Sequence, residues 1–460
     1  MSVSQTRSQL AIPDLRDAIT GRVITPEDAE YDETRAIVYG GIDPRPAVIV
    51  RVADAADVAA TIRVARETGL PLAVRSGGHS GAGHGTVDGG IVIDVRDLNH
   101  LELDPATRTA WVCSGVTAGQ YTAAAAEHGL ATGFGDTGSV GLGGLVTGGG
   151  VGYLVRKHGL TIDNLLAAEV VTADGQVRTV DADHEPDLFW AIRGGGGNFG
   201  VATRFKLRLH ELDGVVGGIL VLPATAETVA GFIAAAEAAP EELSTIANVM
   251  PCPPMPFVAE EHHGTLVNMA MVAYAGSAED GQAALAPFRA LAEPLADMVR
   301  PIPYPEMFPP EDPDYHPTAV AQTMFLDRVD GATAQEIMRF LTESDASMRV
   351  SQLRVLGGAA ARVPDDATAY AHRDSKIMVN LAAFYEGEGD KARRQAWVDQ
   401  FAAAIQQDDT GEYVNFVGDE GEAGVRAAYP GPTYDRLAAI KAQYDPENLF
   451  RVNHNIPPVS

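Results

Sequence analysis

The chain has 460 residues, 46% of them hydrophobic, so it can bury a large core, and about 150 residues per domain predicts two or three folded units. Its 34 Lys and Arg residues against 62 Asp and Glu residues give a formal net charge of −28. Such a charge repels phosphate backbones and anionic lipid headgroups, which argues against nucleic acid and membrane as partners. We interpret it as a solvated acidic surface.

The cysteines and the N-terminal segment bear on cellular location. Only Cys113 and Cys252 occur, far apart and without CxxC spacing, so the sequence predicts neither a disulfide framework nor a cysteine zinc site, and no metal is expected. Residues 1–24 carry scattered polar and charged side chains instead of the apolar core of a signal peptide. No later stretch has the roughly 20 apolar residues that a membrane span needs. We therefore expect a cytoplasmic protein.

The first part of the chain has the pattern of a mixed α/β region. Apolar runs and helical spacing predict, in chain order, strand 47–52, helix 55–68, strands 70–74, 91–95, 101–103 and 110–112, and helix 117–128. The first three of these elements form a β-α-β unit. Residues 133–152 are so rich in glycine that no regular element is expected to run through them unbroken.

The pattern changes after residue 208. Strands are predicted at 215–222, 245–250, 266–274 and 377–384, and amphipathic helices at 226–239, 280–291 and 334–341. Long proline-rich connections such as 301–317 favour an antiparallel sheet with helices on one face. We therefore predict an α+β fold with a second domain over 211–405, between a first domain over 1–210 and a polar segment, 406–460, that returns to the first domain.

Three glycine-rich segments, 77–90, 138–152 and 194–200, stand out. The third satisfies the G-x-G-x-x-G pattern, but a strand-like stretch over 201–209 follows where a dinucleotide-binding Rossmann turn would open a helix. We therefore reject the Rossmann interpretation. A single glycine cluster would indicate only tight turns, whereas three together let backbone N–H groups enclose a long ligand such as a dinucleotide.

The run R-S-G-G-H-S at 75–80 follows directly on a predicted strand. It offers glycine-freed amides, a hydroxyl and an imidazole within six residues, which is typical of phosphate cradling. A lone histidine is more often a hydrogen-bonded structural residue than a chemical one. The position of His79 beside the cradle favours a chemical role.

This run resembles the flavin-attachment motif of the berberine bridge enzyme group, within the vanillyl-alcohol oxidase superfamily of PCMH-type FAD-binding proteins. The likeness continues, in the family's order and spacing, through G-L-G-G at 141–144, G-G-G-V-G-Y at 148–153, R-K-H-G-L-T-I-D-N at 156–164, D-L-F-W-A-I-R at 187–193 and Y-D-P-E-N at 444–448. Residues 211–405 match only in general layout.

The resemblance implies a flavoprotein oxidoreductase whose FAD-binding domain is split between 1–210 and 406–460, with the substrate domain, 211–405, inserted over the isoalloxazine ring. It implies a bond from His79 to the 8α-methyl carbon of FAD, which would make the flavin a stronger oxidant. The other residues implied to bind the cofactor are Arg75, Ser76, Gly77, Gly78, Ser80, Thr137, Gly138, Val140, Gly141, Gly144, Gly148, Gly149, Gly152, Tyr153, Gly200, Val201, Asn453 and Asn455.

Two positions in the loop before Gly141 bear on flavin attachment and on the electron acceptor. Many relatives carry a second link there through a cysteine, and the equivalent position is Thr137. Because both cysteines of this chain lie outside the loop, we expect FAD to be linked through His79 only. Val140 stands where valine accompanies oxidases and leucine accompanies dehydrogenases among relatives, which implies an oxidase that reduces O2 to H2O2.

Hydride transfer from a hydroxyl, phenol or amine needs a base that takes the proton. The family's Tyr-x-Asn pattern is matched by Tyr413, Val414 and Asn415, which implies that Tyr413 is the catalytic base and that Asn415 assists it. A free tyrosine has a pKa of about 10, so a positive charge or hydrogen bonds to its oxyanion would be needed near neutrality. The structural alternative is a tyrosine that only packs against Phe416.

Two other functions stay open. The chain could be a dehydrogenase with the same His79 link that passes electrons to a quinone or protein acceptor. It could also be a non-catalytic flavin- or nucleotide-binding protein, against which the Tyr-x-Asn pattern argues. The expected partner is a small molecule, and members of the family act on sugars, alkaloids, amines and polyketide intermediates, often in secondary metabolism, so the substrate itself is left undetermined.

Overall fold

The computed structural model describes residues 15–312 and 314–459. Its first sheet consists of β1 (Arg22–Ile24), β2 (Val48–Arg51), β3 (Leu72–Arg75) and β4 (Ile91–Asp94), in the order β1-β2-β4-β3. Helix α1 (Tyr31–Arg35) follows β1, and helix α2 (Ala55–Thr68) connects β2 to β3. Both β2 and β3 pair in parallel with β4, so a third strand lies between the two strands of the predicted β-α-β unit.

A second sheet is entirely antiparallel. It contains β5 (Leu101–Asp104), β6 (Thr109–Cys113), β8 (Leu165–Val171), β9 (Val177–Asp181) and β10 (Val201–Arg208), in the order β5-β6-β10-β8-β9. The short strands β7 (Leu130–Ala131) and β11 (His210–Glu211) pair separately. Around this sheet lie α3 (Ala118–Ala126), α4 (Leu142–Gly148), α5 (Val155–His158) and α6 (Pro186–Ala191). Helix α4 occupies part of the glycine-rich segment, with loops on both sides of it.

The third and largest sheet follows. Its strands are β12 (Val215–Pro223), β13 (Leu243–Pro251), β14 (Leu266–Tyr274), β15 (Ala296–Asp297), β16 (Arg300–Ile302), β17 (Ala319–Leu326), β18 (Arg349–Val355) and β19 (Ile377–Phe384). The order is β15-β12-β14-β13-β18-β19-β17, with β16 beside β12, and each pairing is antiparallel. The predicted α+β fold is thereby confirmed.

Helices cover one face of the third sheet. They are α7 (Ala226–Ala238), α8 (Ala278–Arg289), α9 (Gly331–Glu343) and α10 (Glu388–Ile405). Phe232, Phe288 and Phe401 from three of these helices are buried in one cluster with Leu353 and Leu381 of the sheet. Because side chains alternate along a strand, the residues between these apolar positions point to the opposite face, toward the first part of the chain.

The C-terminal segment returns to the first part of the molecule through α11 (Gly421–Ala428) and α12 (Pro432–Tyr444). Leu437 and Ile456 lie in the same buried cluster as Phe205 of β10. The Lys441 ammonium, whose side chain is 0% exposed, donates to Asp445 Oδ2 at 2.6 Å and to the backbone oxygens of Asn198 at 2.7 Å and Phe450 at 2.8 Å. The segment thus holds the glycine-rich loop at 194–200 in place. In the ranges given above, no helix combines the length and apolarity that crossing a bilayer requires.

Candidate active site

A cavity of about 580 Å³ lies between the glycine loops and the third sheet. Its size is within the range of about 300–1,000 Å³ that is typical of ligand pockets. The glycine loops and the tail line one wall, which we call the loop wall, through residues 74–81, 196–198, 450 and 452–454 among others. The opposite wall, the sheet wall, consists of Ala319, Ala321, Val350, Asn380, Ala382 and Phe384.

The loop wall is made by backbone segments in direct contact. A Cβ atom on Gly141 would lie 2.1 Å from Ser76 Oγ and 2.3 Å from the backbone nitrogen of Gly77. Ser76 Oγ in turn donates to the Ser114 carbonyl oxygen at 2.6 Å. The run at 75–80 and the run at 141–144 therefore meet at a distance that only glycine allows.

Several features of the cavity fit FAD. Gly144 and Gly197 line it, and a Cβ atom on either would meet no atom within 4 Å, so it would project into the space that a ligand fills. The Oδ1 atom of Asn453, which lines the cavity, is buried and has no hydrogen-bond partner among the described residues. Such an acceptor suits a ligand that carries hydroxyl and N–H donors, as the ribityl chain and isoalloxazine ring of FAD do.

The contacts of Arg75 indicate a structural role. Its guanidinium forms an ion pair with Asp94 at 2.8 Å, with both side chains at most 1% exposed, and also donates to the Thr34 carbonyl oxygen. Burial opposes ionisation of Asp94, but hydrogen bonds from Arg96 and the charge of Arg75 lower its pKa. Arg75 therefore fixes the start of the loop that carries His79.

Ser139 and Glu311 link His79 to the loop between β16 and β17 of the third sheet. His79 Nε2 lies 2.9 Å from Ser139 Oγ, and Ser139 Oγ lies 2.6 Å from Glu311 Oε2. The backbone N–H of Ser139 donates to Glu311 Oε1 at 3.0 Å. Burial lowers the pKa of His79, while Glu311 and the Ser139 backbone partly oppose that shift. The imidazole is thus favoured in its neutral form.

Tyr413 is buried at the junction of the two walls. Its Oη accepts a hydrogen bond from the Gly150 backbone N–H at 2.7 Å and another from the Asn415 side-chain amide at 3.0 Å. Burial raises the pKa of Tyr413, and these two donors together with the charge of Arg354 act in the opposite direction. The two donors and Arg354 therefore favour a tyrosinate, but burial outweighs them and keeps the pKa of Tyr413 above its ordinary value.

The glycines next to Tyr413 explain how it reaches this position. A Cβ atom on Gly149 would lie 2.8 Å from Tyr413 Cε2, and one on Gly148 would lie 2.0 Å from Asn415 Oδ1. Any larger side chain at these positions would displace the pair. These two glycines therefore allow close packing behind Tyr413 and Asn415, the candidate catalytic residues.

Arg354 lies on β18 beneath this junction. Its guanidinium forms an ion pair with Asp136, and the two side chains are 4% and 16% exposed. It also stacks on the Phe416 ring, with the guanidinium carbon 5.0 Å from the ring centroid. Arg354 thereby joins the third sheet to the loop that precedes Gly141.

The structure brings most of the predicted site residues together around the cavity. Those that line it are Arg75, Ser76, Gly77, Gly78, His79, Ser80, Thr137, Val140, Gly141, Gly144, Gly200, Val201, Tyr413, Asn415 and Asn453. Cys113 and Cys252 are not among the lining residues of the described chain. Thr137 Oγ1 lies 3.5 Å from Asp136 Oδ1.

Six predicted residues lie outside the lining: Gly138, Gly148, Gly149, Gly152, Tyr153 and Asn455. A Cβ atom on Gly152 would lie 2.2 Å from the Phe134 carbonyl oxygen, so that glycine allows two backbone segments to touch. The Tyr153 hydroxyl donates to Met271 Sδ at 3.4 Å, in a cluster between the second and third sheets. The buried Oδ1 of Asn455 has no hydrogen-bond partner in residues 15–312 and 314–459.

Sequence patterns did not point to four residues that the geometry emphasises, namely Ser139, Glu311, Arg354 and Asn380. Arg354 and Asn380 lie on strands whose facing direction depends on register, and the register places Asn380 opposite Gln352. Glu311 comes from a proline-rich connection without periodicity. For Arg354 and Asn380, the sequence offers one signal, a polar residue at an alternate position of a strand, and this signal is weak by itself.

Known proteins resemble this chain in sequence. Residues 46–181 match the FAD binding domain family, and residues 412–457 match the family described as berberine and berberine like. The chain is 32% identical to (R)-6-hydroxynicotine oxidase from Paenarthrobacter nicotinovorans, over 98% of this chain and 99% of that protein.

Solved structures agree with these matches. The crystal structure of 6-hydroxy-D-nicotine oxidase from Arthrobacter nicotinovorans superposes with a TM-score of 0.84 at 30% identity, covering 96% of this chain and 98% of that one. Xylooligosaccharide oxidase from Myceliophthora thermophila C1, in complex with xylobiose, gives a TM-score of 0.84 at 25% identity, covering 98% of this chain and 100% of that one. With its FAD-binding cavity and a relative matched over nearly its full length, the chain belongs to the berberine bridge enzyme-like family of FAD-dependent oxidoreductases.

Proposed function

We propose that this oxidoreductase is an oxidase that removes a hydride from an alcohol, phenol or amine-bearing small molecule, holds its FAD through a single bond to His79, and passes the electrons to O2 to give H2O2. The observation that carries the proposal is the environment of the Tyr413 oxygen, which accepts two N–H donors beside the cavity. A buried phenol can satisfy its oxygen by donating its own proton, whereas two N–H donors directed at that oxygen favour the ionised form that a base must reach.

The residues of the chain divide the work of proton handling. Tyr413 accepts the proton of the substrate hydroxyl or amine, and Asn415 and the Gly150 N–H stabilise the charge that develops on its oxygen. Arg354 contributes a positive charge nearby without a direct hydrogen bond to it. The bound FAD supplies the hydride acceptor. The surrounding buried side chains Phe325, Tyr370 and Met378 exclude water from behind Tyr413.

The sheet wall supports a compact substrate. Small and apolar side chains, Ala319, Ala321, Ala382 and Phe384, form most of it, and Asn380 supplies one polar group. This arrangement suits a compact molecule with a limited number of polar groups, as a hydroxylated nitrogen heterocycle is. The relative named for 6-hydroxynicotine supports the same class of substrate.

Separate observations support the attachment of FAD through His79 and O2 as the electron acceptor. His79 lines the cavity with Thr137 on the neighbouring loop, where no sulfur is available for a second bond. Val140 also lines the cavity, and a residue of this size leaves room for O2. We further assign FAD binding to residues 1–210 with 406–460 and substrate binding to 211–405, which is supported by the position of the third sheet between the two FAD-binding parts.

The first experiment is acid denaturation of the purified protein, followed by absorbance and peptide mass measurement. We expect the yellow chromophore to remain on the peptide that contains His79 and on no other peptide, and to be absent from the peptides of His79→Ala. Release of all flavin from the wild-type protein by acid would overturn the attachment.

The second experiment measures turnover. Hydroxylated cyclic amines and alcohols are screened for H2O2 release in air and for reduction of a quinone dye without air. We expect peroxide release, and a fall in kcat of about 10²–10⁴-fold for Tyr413→Phe. Full turnover with the dye and none with O2 would replace the oxidase by a dehydrogenase, and an unchanged kcat for Tyr413→Phe would remove the proposed base.

A further inference from the structure

We infer that Ser139 and Glu311 form a hydrogen-bond relay that sets the tautomer of His79 and makes Nδ1 the nitrogen that bonds to FAD, so that a loop of the substrate domain promotes cofactor attachment. The inference rests on the proposed bond between His79 and FAD. It concerns how the chain prepares His79 for that bond, and it assigns a role to two residues that the oxidation chemistry does not use.

The direction of each hydrogen bond follows from the chemistry of the three groups. An ionised carboxylate can only accept, so Glu311 accepts both the Ser139 backbone N–H at 3.0 Å and the Ser139 hydroxyl at 2.6 Å. The single hydroxyl proton of Ser139 is then committed to Glu311. Ser139 Oγ must therefore accept from His79 Nε2–H across their 2.9 Å separation.

This assignment leaves Nδ1 with the lone pair. Neutral imidazole carries one proton, and a proton on Nε2 makes Nδ1 the nucleophilic nitrogen. Among the described residues, none forms a hydrogen bond with Nδ1, and His79 lines the cavity. The nitrogen that the relay leaves unprotonated is thus the one available to the cofactor.

The relay is built across two parts of the fold. Glu311 belongs to the connection between β16 and β17, whereas Ser139 belongs to the loop before α4. A Cβ atom on Gly138 would lie 3.4 Å from Phe308 Cβ and 3.7 Å from Glu311 Oε1, so the two segments are in van der Waals contact next to the relay. Closure of this connection against the loop is what completes the chain of hydrogen bonds.

The bond-forming step balances with the groups present and O2. One N–C bond forms between Nδ1 and the 8α-methyl carbon, and one C–H bond of that methyl group breaks. One proton leaves the methyl carbon, and one leaves His79 Nε2 through Ser139 toward Glu311. The electron pair of the broken C–H bond would reduce the flavin ring, which would take up one proton. O2 would then accept that electron pair together with the ring proton and one further proton, which gives H2O2 and oxidised flavin.

Burial makes the relay useful. Because burial lowers the pKa of His79, an imidazolium formed there would be disfavoured unless its proton could leave. Glu311 is exposed to solvent, so a proton that reaches it can pass to water. The hydroxyl of Ser139 provides the connection between the buried ring and the exposed carboxylate.

The test uses full-length Ser139→Ala, Ser139→Thr and Glu311→Gln proteins, each incubated with FAD. Total bound flavin and the fraction that survives acid precipitation are followed over time. We expect Ser139→Ala and Glu311→Gln to bind FAD but to convert it to the covalent form about 10²-fold more slowly than wild type. Ser139→Thr keeps the hydroxyl and is expected to convert FAD at the wild-type rate. A purely structural contact between the loops would not depend on the hydroxyl in this way.

Glu311→Gln is the sharpest variant because it reverses the direction of the relay. A glutamine amide can donate to Ser139 Oγ, which frees the serine proton for His79 Nε2 and moves the imidazole proton to Nδ1. Conversion at the wild-type rate in both Ser139→Ala and Glu311→Gln would overturn the relay while leaving attachment at His79 intact. Loss of flavin from acid-treated wild type would instead overturn the attachment itself.

A second measurement uses only the wild-type protein, so it does not depend on whether a variant folds. Hydrolysis of the wild-type flavopeptide releases a histidyl flavin, which is compared by chromatography with the two synthetic isomers. The relay requires the Nδ1 isomer. Recovery of the Nε2 isomer would overturn the inference.

Discussion

The two walls of the cavity are built in different ways. The loop wall consists of backbone segments that touch at Gly77 and Gly141, and it lies against segments held by buried ion pairs such as Lys441 with Asp445. The sheet wall consists of side chains that alternate along strands, with a helix-covered core behind them. A substitution at these backbone contacts therefore disturbs the loops, whereas one in the sheet wall changes only the surface presented to a ligand.

Under the proposed function, this difference would separate the binding of the cofactor from the choice of the substrate within a single chain. Backbone N–H groups bind the same ligand whatever side chains surround them, provided that the glycines are kept. Side chains on a sheet face can be exchanged without moving the strands that carry them. We therefore expect steep losses from changes in the loop wall and graded, substrate-dependent losses from changes in the sheet wall.

The largest effect is expected for Gly141→Ala. The added Cβ atom would lie 2.3 Å from the Gly77 backbone nitrogen, and a backbone atom in a packed loop has little room to move. We expect loss of bound FAD and a clear fall in the midpoint of thermal unfolding, measured by circular dichroism and by flavin absorbance.

Gly144→Ala is the matched control for that substitution. Gly144 lies three residues away on α4, and a Cβ atom there meets no atom within 4 Å. Alanine should leave the apoprotein at least as stable, since it favours a helix by about 1 kcal/mol over glycine, but it should weaken FAD binding because it projects into the cavity. Equal unfolding midpoints for the two variants would contradict the contact between the loops.

The second effect concerns the ion pair that positions the loop wall. Lys441→Met leaves the Asp445 carboxylate, 0% exposed, without its cation and leaves the Asn198 and Phe450 carbonyl oxygens without that donor. We expect the free energy of unfolding to fall by about 3–5 kcal/mol, measured by urea titration. Arg300→Met removes a half-exposed ion pair with Glu306 and should change the free energy of unfolding by less than about 1 kcal/mol. Similar losses for both variants would show that burial of the lysine is unimportant.

The contrast between the walls also explains what the sequence could predict. Residues 75–80 and 141–144 are contiguous runs, so local pattern and the family resemblance predict these loops, residues of which line the cavity, and the predicted bounds of α2, β14 and β19 agree with those of the fold. Strands β17 and β18 were not predicted because polar residues such as Gln322 and Gln352 interrupt their apolar runs. The sheet wall depends on the register of these strands, which no local pattern specifies.

Tertiary contacts also decide features that local propensity disfavours. Helix α4 forms in a glycine-dense segment because Leu142, Leu145 and Val146 are buried in the core of the first part of the chain. Glu311 approaches His79 from a connection more than 200 residues away in sequence, so only the folded chain places them together. The candidate site was therefore predictable where it is local and not where it is assembled.

The third effect is a shift in pH dependence at the junction of the walls. The Asn415 amide donates to Tyr413 Oη, which stabilises the tyrosinate, so removing it raises the pKa of Tyr413 further above its ordinary value. A hydrogen bond to a charged group contributes about 1.5–3 kcal/mol, which corresponds to about 1–2 pH units. We expect the rate of substrate oxidation to rise with pH in the wild type, and Asn415→Ala to shift that rise by this amount toward alkaline pH.

Tyr413→Phe serves as the reference for the pH profile. Because it lacks the titrating group, its residual rate should not show the alkaline rise. A shift toward acid pH in Asn415→Ala, or an unchanged rise in Tyr413→Phe, would mean that another group titrates.

The smallest effect is expected in the sheet wall, for Asn380→Leu. The buried Oδ1 of Asn380 lines the cavity and has no partner within the described part of the chain, so we expect a substrate donor to pair with it. Its loss should lower kcat/KM by about 2–10-fold, as expected for a neutral hydrogen bond. The same substitution removes an unsatisfied polar atom, so the unfolding midpoint should stay or rise. Thr323→Val, at the paired position on β17 and outside the cavity lining, should leave kcat/KM unchanged. If both variants lower kcat/KM equally, or if Asn380→Leu lowers flavin content instead, then the sheet wall also shapes the cofactor site and the division between the two walls fails.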